Sequence, residues 1–167
     1  MLPIFVPTRA VCCPATLALT TEGLEVTEVV MYDYTNYGRA FTEQWQSGHG
    51  FIVVEDDVVP WPGAIREFDA CPEEWCLFEH PRGRFQESPR SGFATGLGCV
   101  KFSTELVQRV PFNPGWQNRG HDELDGLVHE TLLEADAVLH IHYPPVAHVK
   151  AQTLTYKRSY LPVSNEA

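Results

Sequence analysis

Positive charge is what this sequence has least of. Twelve Lys and Arg stand against 22 Asp and Glu in 167 residues, a formal net charge of -10. A broad nucleic-acid or anionic-membrane footprint needs clustered Lys and Arg, so this balance argues against both and leaves only local basic pockets. Long apolar runs are missing too. No stretch approaches the ~18 apolar residues of a membrane span, and residues 1–6 lack the basic leader and the length of a signal peptide. No Cys-x-x-Cys pair occurs: Cys12 and Cys13 are adjacent, and Cys71, Cys76 and Cys99 are scattered. An odd count of five without paired spacing argues against a zinc knuckle and fits free thiols in a reducing, cytoplasmic setting. Repeats and low-complexity linkers are absent as well. With 44% hydrophobic and 20% charged residues, the chain reads as one globular domain over residues 1–150 and a polar tail over 151–167.

What is there is most concentrated at Phe51-Ile52-Val53-Val54-Glu55-Asp56-Asp57-Val58-Val59-Pro60. Four apolar residues make a buried strand, and three acids follow it at once. Packed carboxylates repel one another. A divalent cation relieves that repulsion, and oxygen ligands suit Mg2+ or Mn2+. The carboxyl end of a strand is also where open α/β sheets place ligands. In an extended chain residues i and i+2 share a face, so Glu55 and Asp57 are expected to converge while Asp56 turns away. The plainer reading is a solvated turn after a strand.

The rest of the pattern alternates. Residues 2–6 read as a strand closed by Pro7, Pro14–Thr21 as a helix, and residues 27–32 as a second strand. Asn36 caps a helix through Gln46, ended by Gly48 and Gly50. After Phe51–Val54, Pro62 opens a helix with Ala64, Ile65 and Phe68 on one face, and Trp75–Phe78 is a strand. Residues 81–92, rich in Arg, Gly and Pro, read as a mobile loop. Residues 97–102 form a strand, Ser103 caps a helix, and residues 111–120 are irregular. Residues 121–135 form a helix with Leu124, Leu127, Val128 and Leu132 on its stripe, and late strands cover 138–141 and 145–149. Early alternation predicts a mostly parallel sheet with crossover helices, and the later strands predict a mixed edge. His140 and His142 share one strand face. That spacing suits a zinc pair, but no third ligand stands at a diagnostic spacing.

The ordered set of motifs resembles a nucleotide-sugar glycosyltransferase of the GT-A type, a compact form close to the inverting family 2. The residues that carry the resemblance are Val6-Pro7-Thr8-Arg9, Asp33, Asn36-Tyr37-Gly38-Arg39-Ala40, Glu55-Asp56-Asp57-Val58 with Pro62-Gly63-Ala64, Gly96-Leu97-Gly98-Cys99-Val100, Asp122-Glu123-Leu124-Asp125 and Pro145-Val146-Ala147-His148. They span nearly the whole chain in the family's order. The fold implied is α/β: a single GT-A-like, Rossmann-like three-layer sandwich around a mixed, mostly parallel sheet.

The resemblance also implies roles. Glu55-Asp56-Asp57 stands at the family's DxD motif. Asp57 would bind Mn2+ or Mg2+, with Glu55 reaching the ribose or the metal through water, and Asp56 belonging to the donor site. His148 would complete the metal shell, with His140 and His142 as rivals and a surface histidine as the plain alternative. Pro7, Thr8 and Arg9 would touch the base and diphosphate of a UDP- or GDP-sugar. Asp33 would accept a hydrogen bond from the base, or is an ordinary turn residue. Arg39 would face the nucleotide, or is simply solvated. The family's acidic pair is commonly Glu-Asp with Asp as the general base. Here it reads Asp-Glu, so Glu123 takes the base position, with Asp122 the alternative. Acids also suit any helix start. Gly96 and Gly98 would border the acceptor or mark a bulge, and Trp116 would form a sugar wall or belong to the core. Compared with that family the chain is short and leaves little for an acceptor pocket. The loop near Arg82, a partner or a second copy in a homo-oligomer would supply the rest. The acceptor classes that fit are a hydroxyl on a small molecule, a glycan, a protein or a modified DNA base. Two other readings use the same acids: a metal-dependent nucleotide phosphohydrolase, and a non-catalytic nucleotide-sugar-binding module.

Overall fold

The computed structural model describes residues 1–9, 13–31, 36–78, 96–143 and 146–149. Asp33, the Arg-rich loop expected at 81–92 and the tail from Lys150 lie outside the described residues. The elements in chain order are β1 (Ile4–Thr8), α1 (Pro14–Thr21), β2 (Val26–Val30), α2 (Asn36–Gln46), β3 (Phe51–Val54), β4 (Val58–Val59), α3 (Ala64–Ala70), β5 (Trp75–Phe78), β6 (Cys99–Phe102), α4 (Thr104–Arg109), a 3-10 helix (Pro114–Asn118), α5 (His121–Glu134), β7 (Leu139–His142) and β8 (Ala147–His148).

Six strands form one sheet in the order β2-β1-β3-β6-β5-β7, and β4 pairs separately with β8. Within the large sheet the pairings β1–β2, β1–β3 and β5–β7 are parallel, and both pairings of β6 are antiparallel. The sheet is therefore mixed and mostly parallel, as expected. The antiparallel strand is not at an edge, however. Val100 and Phe102 of β6 bury into one helical layer and Cys99 into the other, so the strand is covered on both faces and sits inside the sheet.

Alternation along each strand builds the two layers. Phe5, Phe51, Val53, Trp75 and Leu77 pack with α2, α4 and α5. Ile4, Val6, Ile52, Val54, Cys76 and Phe78 pack with α1 and α3 on the opposite face. The first layer is aromatic. Phe41 meets the rings of Phe51, Phe102 and Trp116 edge-on, with centroids 5.7, 5.7 and 5.5 Å away. Such pairs add about 0.5–1.5 kcal/mol each beyond the area they bury.

Pro7 does not close β1; it pairs with Val29 inside the ladder. The Pro3 carbonyl accepts from Ile52 N–H and the Thr8 carbonyl from Met31 N–H. Odd-numbered residues of β1 thus face β3 and even-numbered ones face β2. The N–H that Pro7 lacks would point toward β3 beyond Phe5, the last β1 residue paired with it, so no ladder bond is lost.

Candidate functional site

The chain leaves β1 through α1 to reach β2 on one side. It then crosses back through α2 to β3 on the other side of β1. The carboxyl ends of β1 and β3 therefore flank the point where strand order reverses, which is where doubly wound sheets hold ligands. Thr8 and Arg9 leave one strand there, and Glu55, Asp56 and Asp57 leave the other.

The acids do not continue the strand. Val58 N–H donates to the Glu55 carbonyl at 3.0 Å, closing a four-residue turn. The i, i+2 rule assumed an extended chain and does not govern this segment. Each acid instead has its own surroundings. Glu55 is buried: its N–H donates to the Gly98 carbonyl at 2.8 Å, and its carboxylate accepts from the Tyr37 hydroxyl at 3.2 Å. Asp56 turns to Arg9, taking the backbone N–H at 3.1 Å and the guanidinium through both oxygens at 3.3 Å. Asp57 is half-buried, and its carbonyl accepts from Val149 N–H at 2.7 Å.

Among the described residues, Arg9 is the cation fixed at the turn by these bonds. Its hydrogen bond and charge contact with Asp56, and then the charges of Asp57 and Glu55, push its pKa above the ordinary arginine value. Its side chain is 62% exposed, so the pair contributes little to stability. What it does is hold a positive group against the acids, open to an anionic ligand.

The expected residues fall into groups. Pro7, Thr8, Arg9, Glu55, Asp56, Asp57 and Gly98 come together at the two strand ends, with Gly96 just ahead of β6. The backbone of His148 comes there too, because Val58 pairs with His148 and Val59 with Ala147 in the β4–β8 ribbon. The start of α5 is joined to the turn through α2. Tyr37 reaches Glu55, while the next residue, Gly38, donates its N–H to the Arg119 carbonyl at 3.2 Å, just ahead of Asp122 and Glu123. Glu123 is exposed and paired with Arg119 at 3.3 Å. Arg39 is exposed on α2.

Trp116 is a correction. It is fully buried among Phe41, Trp45 and Phe112, so it offers no face to a sugar. Its 3-10 helix packs inward against α2, and residue type alone does not separate a sugar wall from such a core. Tyr37 is the residue that sequence reading passed over. It lies inside the quoted Asn36–Ala40 motif, but only the fold brings its hydroxyl to Glu55.

Chemically, the turn offers carboxylate oxygens suited to a hard divalent cation, beside an arginine suited to a phosphate. No helix among the described residues is long and apolar enough to cross a membrane.

No protein-family model and no curated protein matches the chain. Solved structures do. The chain is similar to A197 from STIV, with a TM-score of 0.55 at 11% identity over 85% of this chain and 82% of that one. It is also similar to a glycosyltransferase involved in the glycosylation of the major capsid of PBCV-1, with a TM-score of 0.52 at 11% identity over 94% and 98% of the two chains. At such identity the likeness is one of fold: a Rossmann-like α/β architecture shared with a glycosyltransferase along nearly its whole length.

Proposed function

We propose that the chain is a metal-dependent glycosyltransferase that moves a sugar from a UDP- or GDP-sugar to an acceptor hydroxyl with inversion. The observation that carries this reading is the acid turn Glu55–Asp57 at the strand-order reversal, with Arg9 fixed across it by Asp56. Asp57 is the metal ligand in this reading and Glu55 its support. His148 is the distant ligand, and its backbone neighbours Val58. Mn2+ or Mg2+ held there would offset the negative charge that grows on the departing nucleoside diphosphate. Arg9 binds the diphosphate, with Pro7 and Thr8 lining the base side. The general base is the acid pair at the start of α5, Glu123 or Asp122, which takes the proton from the acceptor hydroxyl. Gly96 and Gly98 border the acceptor. The fold likeness to a capsid glycosyltransferase agrees with this reading, while the residues of the turn supply its chemistry.

The test measures the stabilisation that Mn2+ plus UDP or GDP gives to the wild type and to Asp57→Ala. The reading expects metal-dependent nucleotide stabilisation in the wild type and its loss in the variant, with the fold of the variant intact. Equal stabilisation of both would overturn the assignment of Asp57. With the donor identified, Glu123→Gln and Asp122→Asn are compared for turnover. One of them should lose about 10²–10⁴-fold in rate with donor binding retained. Release of free phosphate without sugar transfer would favour the phosphohydrolase instead.

A further inference from the structure

His140 and His142 lie on β7, the last strand of the sheet order. Opposite them on β5 stand Cys76 and Phe78. The end of α3 passes beside this edge and brings a third residue. One ring nitrogen of each histidine and the Cys71 thiol all lie within 4.8 Å of one another. Cys71 comes from a helix end some seventy residues ahead of the histidines, so no sequence spacing announces it.

We propose that Cys71, His140 and His142 form a zinc site, separate from the acid turn. The observations beyond the cluster itself concern His142 and Cys71. His142 is 7% exposed, and its Nε2 is buried without a hydrogen-bond partner among the described residues. Leaving a buried ring nitrogen unmatched costs about 1–3 kcal/mol, and a metal bond removes that cost. Its Nδ1 lies 2.9 Å from the Glu67 carboxylate. With Glu67 as acceptor, Nδ1 carries the proton and Nε2 keeps the lone pair, which is how carboxylates orient metal-binding histidines.

Cys71 is held from its backbone as well. Its N–H donates to the Glu67 and Phe68 carbonyls, and its own carbonyl accepts from the buried Lys101 ammonium. The thiol is thus positioned by groups that do not bind the metal. Cys76 donates its S–H to the Cys71 sulfur at 3.6 Å and lies outside the triad.

Thiolate and imidazole together select zinc, or cobalt as its probe, over the hard cations that the acid turn favours. Tetrahedral bonds of about 2.0–2.3 Å put ligand atoms roughly 3.3–3.8 Å apart. A pair near the 4.8 Å bound therefore draws in by up to about 1 Å on binding. His140 is exposed and Cys71 half-buried, so both have room to turn inward. On binding, Cys71 gives its proton to solvent and the sulfur forms the metal bond. The fourth position opens to water on the exposed side of His140. The bound ion ties the end of α3 to the edge strand and stabilises the fold in proportion to its occupancy.

The experiment titrates the reduced, metal-free chain with Co2+ and follows the near-ultraviolet absorption of a thiolate–cobalt bond. It then displaces the cobalt with Zn2+. The expected result is one thiolate-bound Co2+ per chain, bleached by Zn2+, with the melting temperature raised by Zn2+. Cys71→Ser should abolish the absorption, and His140→Ala should weaken binding at least tenfold. Cys76→Ser and Asp57→Asn should keep the absorption, which separates this site from the acid turn. Absence of thiolate absorption in the wild type overturns the proposal, as does absorption that survives Cys71→Ser or requires Cys76. If Cys71→Ser fails to fold by circular dichroism, the exposed His140→Ala decides: unchanged cobalt affinity overturns the site.

Discussion

A Cβ on Gly38 would lie 2.0 Å from the carbonyl oxygen of Trp116 and 2.7 Å from that of Arg119. The glycine of the Asn36–Ala40 motif is therefore a packing requirement: α2 meets the backbone of the 3-10 helix with nothing between. Both neighbours are backbone and cannot swing aside.

Gly38→Ala should separate the two segments and destabilise the fold by about 1–3 kcal/mol or more, despite the better helix propensity of alanine. Chemical denaturation checks it. The same variant should disturb the start of α5 before the sheet, because the Gly38 N–H bond to Arg119 anchors that start. Amide exchange at residues 119–124 should rise first. A variant as stable as the wild type would show that the close approach is not a constraint.

Tyr37→Phe removes one donor from the buried Glu55 carboxylate and keeps the ring. Removing one partner of a buried acceptor costs about 1–3 kcal/mol. Stability should fall by that order. Calorimetry checks the loss, and a melting temperature within a degree of the wild type would count against it. Under the proposed function, metal-dependent nucleotide binding, read in parallel, should weaken as Glu55 shifts.

Much of the frame was legible because local chemistry dictates it. Pro14 and the residues after Thr21 bound α1 where the sequence places it, Ser103 caps α4 through Leu106 N–H, and Gly48 ends α2 with φ of +72°. The apolar runs Phe51–Val54 and Trp75–Phe78 are strands because each side faces a helical layer. Long-range pairing was not legible. Nothing in residues 97–102 says that β6 inserts antiparallel between β3 and β5, and two-residue β4 exists only because β8 arrives beside it. At the candidate site, the acid cluster stands out in sequence and Arg9 enters only through the resemblance, as a diphosphate contact, whereas its pairing with Asp56 and the direction each carboxylate faces depend on a turn that the apolar-then-acidic pattern does not encode. Trp116 fell to the core, and Cys71 joined two histidines, for the same reason: contacts between distant elements decide both.

His129 sets a pH dependence whose sign follows from burial. It is 3% exposed on α5, both ring nitrogens lack a hydrogen-bond partner among the described residues, and its ring meets Trp75 edge-on at 5.0 Å. Burial lowers its pKa from the ordinary 6.5, outweighing the opposite pull of Glu130. The folded state thus binds this proton less readily than the unfolded chain. Stability is full above pH 6.5 and falls as pH drops from there to the folded pKa, below which the loss levels off. The slope from this one group is at most about 1.4 kcal/mol per pH unit. His129→Leu removes the group and retains apolar bulk beside Trp75. Carboxylates and the other histidines titrate in both proteins, so the wild-type-minus-variant difference isolates His129. Denaturant midpoints measured from pH 8 to pH 5 should show the variant gaining relative stability as pH falls below 6.5. Parallel curves for the two proteins would mean that His129 is hydrated or protonated in the fold.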